Sequence, residues 1–413
     1  MKQEFITITE KETAARVQAG AVHAVRVKDI TKKGVRVYRD GKIGLAGAVG
    51  SVDDAKLVNE AEENLSAGIE YPYALSGDLK DHRSYNDEPM SSEELLEQAE
   101  DILAVLRRDY PDFGFSELIS TTELAYEMRN SEGLDLKYED AFFVVSLILK
   151  EKASANLFDG FLAHVSRKFD PNRFWKFNRA LLEAYRTKVD LPAGERLPVF
   201  SFETNEILYF LSQALNGERF AKGASLFSGK MGQQLFSKKV GLEQNRDPQN
   251  RPGPFFDSEG VVLKNNRIAL VAEGKLKRVL TDKKTAQTYN LEHTGAARGA
   301  YDDPPSIDGA GSHALRFKTD SKDLTAALAG SPAIISVVSS GGDFTADGSY
   351  AAPVQVAFLF DGERLLGKLP EFTVSSHLDK MLGADYIGTF DNTVFDLGDI
   401  PTQLQGYYMT VKR

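Results

Sequence analysis

The 413-residue sequence predicts an α+β protein of two domains: an N-terminal sheet with packed helices, and a β-rich, barrel- or sandwich-like C-terminal domain. Three observations carry that expectation. The chain exceeds the roughly 250–300 residues at which a single hydrophobic core stops growing. Through its first half, period-2 runs alternate with runs of helical period. Beyond residue 200 the pattern changes to short alternating segments separated by glycine turns. A loop containing Pro192, Gly194 and Pro198 marks the expected boundary, giving domains of 1–190 and 191–413.

Residues 4–50 read as strands, alternating through 22–27 and 35–38, with Asp40-Gly41 as a hairpin turn because both residues tolerate positive φ. Ser51 is the expected cap of a helix that carries Leu57, Ala61 and Leu65 on one face. A polar linker is expected over 77–89. After it, Ser91 to Glu94 forms a capping box ahead of the apolar stripe Leu95, Ala99, Ile102 and Leu106. Pro111 lies beyond that helix. Three strand-like runs follow, 118–127, 134–138 and 141–149, and Pro171 opens a helix through Tyr185. In the second half an apolar strand and a helix over 205–215 precede strands expected at 267–271, 275–280, 333–338, 354–360 and 407–411.

Composition narrows the function. With 42% hydrophobic and 27% charged residues the chain has an ordinary globular balance. A net charge of -10 and a pI near 5.3 argue against a large phosphate-binding surface, so no nucleic-acid partner is expected. No run approaches the ~20 apolar residues needed to span a bilayer. The start, Met1-Lys2-Gln3-Glu4, lacks a signal-peptide core, so the expectation is a cytoplasmic protein with no membrane partner. Cysteine is absent, which removes disulfides, thiolate nucleophiles and cysteine ligands together. The six histidines, His23, His82, His164, His293, His313 and His377, are too far apart in sequence for a local ligand pair.

Several segments in order resemble the TldD/PmbA family. They are the hairpin from Gly34 through Val37-Tyr38 to Gly44, the turn Asn130-Ser131-Glu132-Gly133, and the stretch Gly223-Ala224-Ser225-Leu226-Phe227-Ser228-Gly229-Lys230-Met231-Gly232. Phe256-Asp257-Ser258-Glu259-Gly260, Glu273-Gly274-Lys275-Leu276-Lys277, Asp282 to Ala286, Thr294-Gly295-Ala296-Ala297-Arg298 and Ser340-Gly341-Gly342-Asp343-Phe344 complete the set. The resemblance implies a two-domain fold within a protease assembly that acts on unfolded or small peptides. In that assembly a TldD-like subunit holds zinc and a PmbA/TldE-like subunit does not. The family's other name, modulator of DNA gyrase, finds no support in the acidic balance.

Catalytic members of the family carry His-Glu-x-x-x-His at the start of the C-terminal domain and a late cysteine ligand. Counting back from Gly223 to Gly232, this sequence has Leu208 and Gln213 at the histidine positions and Tyr209 at the glutamate position. No register rescues the motif, because no histidine lies between His164 and His293. Leucine offers no ligand atom, and a phenol near pKa 10 does not activate water as a carboxylate does. The resemblance therefore implies no catalytic residue of the inherited kind, no metal and no cofactor: a pseudoenzyme of the PmbA/TldE-like branch, dimeric with itself or with a TldD-like subunit, acting in assembly and peptide binding for proteolysis.

Other residues keep alternatives open. Asp257 and Glu259, two apart, present two carboxylates to a metal or a nucleophile if the segment is extended, or else cap a turn. Arg298, close after His293-Thr294-Gly295, suits an anionic peptide end by guanidinium–carboxylate geometry. Ser340, Gly341 and Gly342 form a candidate nest of backbone amides lining a central cleft. The rival readings are an active hydrolase with a different site near Asp257, Glu259 and a histidine, and a stand-alone homodimeric peptide-binding module.

Overall fold

A computed structural model describes the chain except for residues 86–87, 203–204, 301–302, 312–313, 321–322 and 396; His313 therefore lies outside the described residues. Strands β1 (Lys2–Gln18) and β2 (Ala21–Arg39) form a long hairpin, and β3 (Lys42–Val49) follows the Asp40-Gly41 turn at φ 53° and 71°. This left-handed pair matches the right-handed twist of the strands it joins. Helix α1 (Asp54–Asn64) buries Leu57 and Ala61. Its cap is Asp53, which accepts from the Ala55 amide, and not Ser51: the chain stays extended two residues longer than the cap preference alone suggests.

The expected linker contains a strand, β4 (Leu79–Ser84), which pairs parallel with β6 (Leu134–Glu151). Its side chains are largely exposed, so it has no apolar pattern and exists through its ladder to β6. Helix α2 (Ser92–Asp109) has the expected capping box: Ser91 accepts from the Glu94 amide and Glu94 accepts from the Ser91 amide. Strand β5 (Phe113–Asn130) then pairs along β6, which is one strand where two runs are expected. The polar Glu139-Asp140 reads as a break, yet Asp140 is buried in mid-strand against an arginine. β7 (Gly160–Ser166) and α3 (Pro171–Arg186) complete this half, whose sheet runs β3-β2-β1-β5-β6-β4 with β7 also on β6.

The second half begins with β8 (Arg196–Phe202), which includes Pro198, and continues through α4 (Asn205–Ala214) and α5 (Gly217–Ala221). A small sheet is formed by β9 (Leu242–Asn245), β10 (Arg267–Ala272), β11 (Lys275–Leu276) and β12 (Leu315–Phe317), with α6 (Lys283–Tyr289) inserted before its last strand. Only the first two residues of the expected 275–280 run are strand; beyond them the Lys277 and Arg278 amides both turn onto the Leu270 carbonyl. After α7 (Leu324–Leu328) come β13 (Ala333–Ser339), β14 (Asp343–Phe344), β15 (Ser349–Phe360), β16 (Leu365–Lys368), β17 (Phe372–His377), α8 (Leu378–Met381), β18 (Tyr386–Asp391) and β19 (Gln403–Lys412). The pairings β13–β8–β19–β17–β15–β13 close into a five-stranded barrel. The fold is thus α+β, with a barrel in its C-terminal part.

Strand alternation divides the core. Val199 and Ile334 join one cluster with Val354 and Tyr407, while their neighbours Phe200 and Ile335 join another with Phe143, Leu147, Phe174 and Tyr185. One barrel face therefore packs on the N-terminal sheet and α3, and this second cluster runs through both halves. Among the described residues no helix is long and apolar enough to cross a membrane.

Asp140 tests how that seam tolerates charge. Its carboxylate accepts from Arg167 Nε at 2.9 Å and Nη2 at 2.8 Å, and from the Tyr138 hydroxyl at 2.7 Å. Arg167→Ala strands a buried carboxylate, and urea unfolding is expected to show a loss of about 3–5 kcal/mol, with a smaller loss for Asp140→Asn/Arg167→Met. Equal losses in the two variants would contradict this.

Candidate functional site

Leu208, Tyr209 and Gln213, which the resemblance sets against the catalytic motif, lie on α4. Ile207, Leu211 and Ala214 are buried, and Leu208 and Phe210 pack against the same core. Tyr209 points outward, 67% exposed, and Gln213 accepts from Arg219 Nη1 at 3.2 Å. Nothing here supplies a zinc shell: one position is aliphatic, one a phenol in solvent, one an amide engaged elsewhere. The residues do not fit the metal.

The chemistry that does converge lies on the turn after Phe256. Asp257 Oδ1 accepts from the amides of Glu259 and Val261, both at 2.9 Å, and Oδ2 from Ala297 at 3.0 Å. The turn presents Glu259, also buried, to Tyr71, whose hydroxyl donates to Oε1 at 2.7 Å, and to the first amide of α6, Lys283, which donates to Oε2 at 2.9 Å. His293 closes the group: its Nε2 is 3.9 Å from Glu259 Oε2, and ligand atoms of Asp257, Glu259 and His293 all lie within 4.8 Å of one another. That nitrogen is buried and has no hydrogen-bond partner among the described residues.

Burial dominates the titration of Glu259 and His293. It pushes Glu259 up to about 7, reinforced by Asp257 and opposed by Tyr71 and Lys283. Burial likewise holds His293 below its usual value, so the imidazole is neutral at pH 7. The Tyr71 phenol is pushed far above its ordinary range by burial and then by the Glu259 charge.

A second set of contacts holds the turn in place from the N-terminal sheet. Glu4 stands opposite both Arg36 and Asn130 in the strand register. Arg36, 1% exposed, donates through Nη1 to Glu4 Oε2 at 2.9 Å and to the Ser258 carbonyl at 2.5 Å, and through Nη2 to the Ser306 carbonyl at 3.0 Å. Tyr38 donates to Glu4, and Asn130 donates to Glu4 and to the Ser76 carbonyl. Above this row lies a cleft of about 420 Å³, walled by Ile6 and Met128 of the sheet, Phe256 and the Arg251–Pro254 loop, and by Arg246, Asp257 and Arg298.

The candidate residues therefore separate. Asp257 and Arg298 line this cleft, whereas Glu259 faces a neighbouring cavity of about 280 Å³ with Tyr71, Asp282 and Glu70. Ser340, Gly341 and Gly342 do not line the cleft: their loop joins β13 to β14, beside α4, where Phe344 stacks on Phe210 and Tyr350. Arg36, Arg246 and Tyr71 join the site without any signal in their own surroundings. Arg36 stands between Val35 and Val37 like any solvated strand residue, and only the pairing with Glu4 and contacts 222 and 270 residues away reveal its place.

Residues 200–404 match the family model of the PmbA/TldA metallopeptidase C-terminal domain. Over the whole chain the fold is similar to the crystal structure of TldE from Thermococcus kodakarensis, with a TM-score of 0.74 and 17% identity, covering 99% of this chain and 96% of that one. It is also similar to a protein named as a candidate modulator of a DNA gyrase from Thermotoga maritima, with a TM-score of 0.75 and 17% identity over 99% and 95% of the two chains. An uncharacterized Methanocaldococcus jannaschii protein is 24% identical over 296 residues, 66% of this chain, and the match spans 65% of that relative's own length.

The raised carboxyl fixes a pH dependence. Glu259 ordinarily titrates near 4.5 and here near 7, so the folded state holds an extra proton between those values. Its contribution is complete below the lower value and is lost as pH rises through the higher. In metal-free buffer, stability from urea titrations should fall by on the order of 2–3 kcal/mol from about pH 5 to about pH 8 through this group, and Glu259→Gln should flatten that slope. An unchanged slope in the variant would contradict the assignment.

Proposed function

The chain belongs to the TldD/PmbA family by its C-terminal domain and its fold, and we propose that it is the PmbA/TldE-like, non-catalytic member of a metalloprotease system. In this reading it pairs with itself or with a TldD-like subunit and contributes a wall that holds unfolded or small peptide for proteolysis. The working units are residues 1–190 and 191–413. What supports the reading is one observation: Leu208, Tyr209 and Gln213, which the sequence sets against the ligands and base of a catalytic member, lie on or at the end of α4, with Leu208 packed against the barrel core. The cleft between the N-terminal sheet and the Arg251–Pro254 loop offers a peptide an apolar wall and charged groups together.

A second reading, an active hydrolase using Asp257, Glu259 and His293, is favoured by their convergence and by the unpartnered His293 Nε2. Against it, every oxygen of the two carboxylates already accepts a hydrogen bond from the protein, and Asp257 Oδ1 accepts two. Such a pair is built to hold the turn, and its remaining lone pairs are few. The stand-alone homodimeric module has no observation in its favour beyond the same cleft.

Purified chain incubated with an unfolded peptide and Zn²⁺ should release no fragments above buffer, by mass spectrometry, with or without chelator. Chelator-sensitive cleavage would overturn the non-catalytic reading. Its loss in Glu259→Gln would transfer the activity to the second site.

A further inference from the structure

We propose that the 420 Å³ cleft is a receptor for a carboxylate, the free C-terminus of an extended peptide whose last side chain is apolar. The proposal rests on the peptide-holding reading above and names what part of the peptide is held. Two guanidiniums lining the cleft carry an unmet need. Arg36 spends its Nη groups on Glu4, Ser258 and Ser306, and its buried Nε has no partner among the described residues. Arg246 donates one bond, from Nη1 to the Phe256 carbonyl at 3.2 Å; its buried Nε also has no partner, and it forms no ion pair among the described residues.

A buried guanidinium without a counter-ion is an unstable arrangement unless an anion arrives. Asp257 does not fill that role in full, because its oxygens are turned to three backbone amides. Burial outweighs the Asp257 charge at Arg246 and pulls that group below its ordinary value. A third guanidinium, Arg298, stands at the rim, held by an exposed ion pair to Asp308 at 3.1 Å that an incoming anion can replace at small cost.

The rest of the lining selects among anions. Ile6, Met128, Pro254 and Phe256 make the wall apolar next to the charged groups, so the ligand has an anionic end and a hydrophobic body. Planar carboxylate matches the fork of Arg, and the volume falls within the range of small-ligand pockets, roughly 300–1,000 Å³. Inorganic phosphate satisfies the arginines and leaves the wall bare.

Fluorescence anisotropy on the full chain tests this with a labelled, unstructured decapeptide ending in Leu, prepared as the free acid and as the C-terminal amide. The acid should bind at least tenfold more tightly, and acetyl-leucine should compete at concentrations where inorganic phosphate does not. Arg246→Met should abolish the preference for the acid while leaving the weak binding of the amide. Arg298→Ala, at an exposed position that the fold does not need, should reduce it, which keeps the test open if the first variant misfolds. Equal binding of acid and amide, or no binding of either, would overturn the proposal, and phosphate competing as well as acetyl-leucine would overturn the assignment to a peptide terminus. Cleavage decides the non-catalytic reading and acid–amide preference decides this one, so the two fail separately.

Discussion

Arg36 carries a full charge into the interior, and the centre of the molecule is arranged around it. Glu4 supplies the counter-charge from the adjacent strand, Tyr38 and Asn130 satisfy the remaining valences of Glu4, and the carbonyls of Ser258 and Ser306 are drawn in from the other half of the chain. A buried pair of this kind adds little net stability relative to an apolar replacement, because desolvation offsets most of the attraction. What it adds is position. Two carbonyls must sit at fixed points above β1 and β2, or the guanidinium loses its partners.

That requirement propagates outward. With Ser258 fixed, Asp257 and Glu259 on either side of it bring their carboxylates within 4.8 Å of one another while lining different cavities, the 420 Å³ cleft and the one behind Tyr71. Three backbone amides fasten Asp257, and the N-terminus of α6 fastens Glu259, where the helix dipole favours a carboxylate. All four carboxylate oxygens of the turn are thus held by hydrogen bonds from the protein. In α4 the situation is the reverse: the helix is held by apolar packing, with Ile207 and Leu211 buried and Leu208 and Phe210 packed against the same core.

How much of this was legible in the sequence follows the range of each interaction. The capping box at Ser91 and Glu94 and the Asp40-Gly41 turn are complete within four residues, and the structure contains both. That Leu208 offers no ligand atom and Tyr209 no carboxylate is legible in their identities alone. Asp140 misleads, since a charged residue within an apolar run marks a chain break unless its partner, Arg167, is known to lie 27 residues on. β4 is invisible for a related cause: a strand of exposed polar residues is defined by its neighbour. Asp257, Glu259 and Arg298 were each recognisable as chemistry-bearing, but their separation into two cavities, and the entry of Arg36, Arg246 and Tyr71, depend on contacts between halves that no local pattern encodes.

The central claim is that the Arg36 row positions the Asp257–Glu259 turn, and hydrogen–deuterium exchange on Arg36→Met beside the unaltered protein tests it most directly. The account predicts that the amides of Glu259, Val261 and Ala297, which bond to Asp257, exchange at least roughly tenfold faster in the variant, while amides of the barrel strand β19 keep their protection. Unchanged exchange at the turn would contradict it, as would an equal rise across turn and barrel, which would make Arg36 a support of global stability alone.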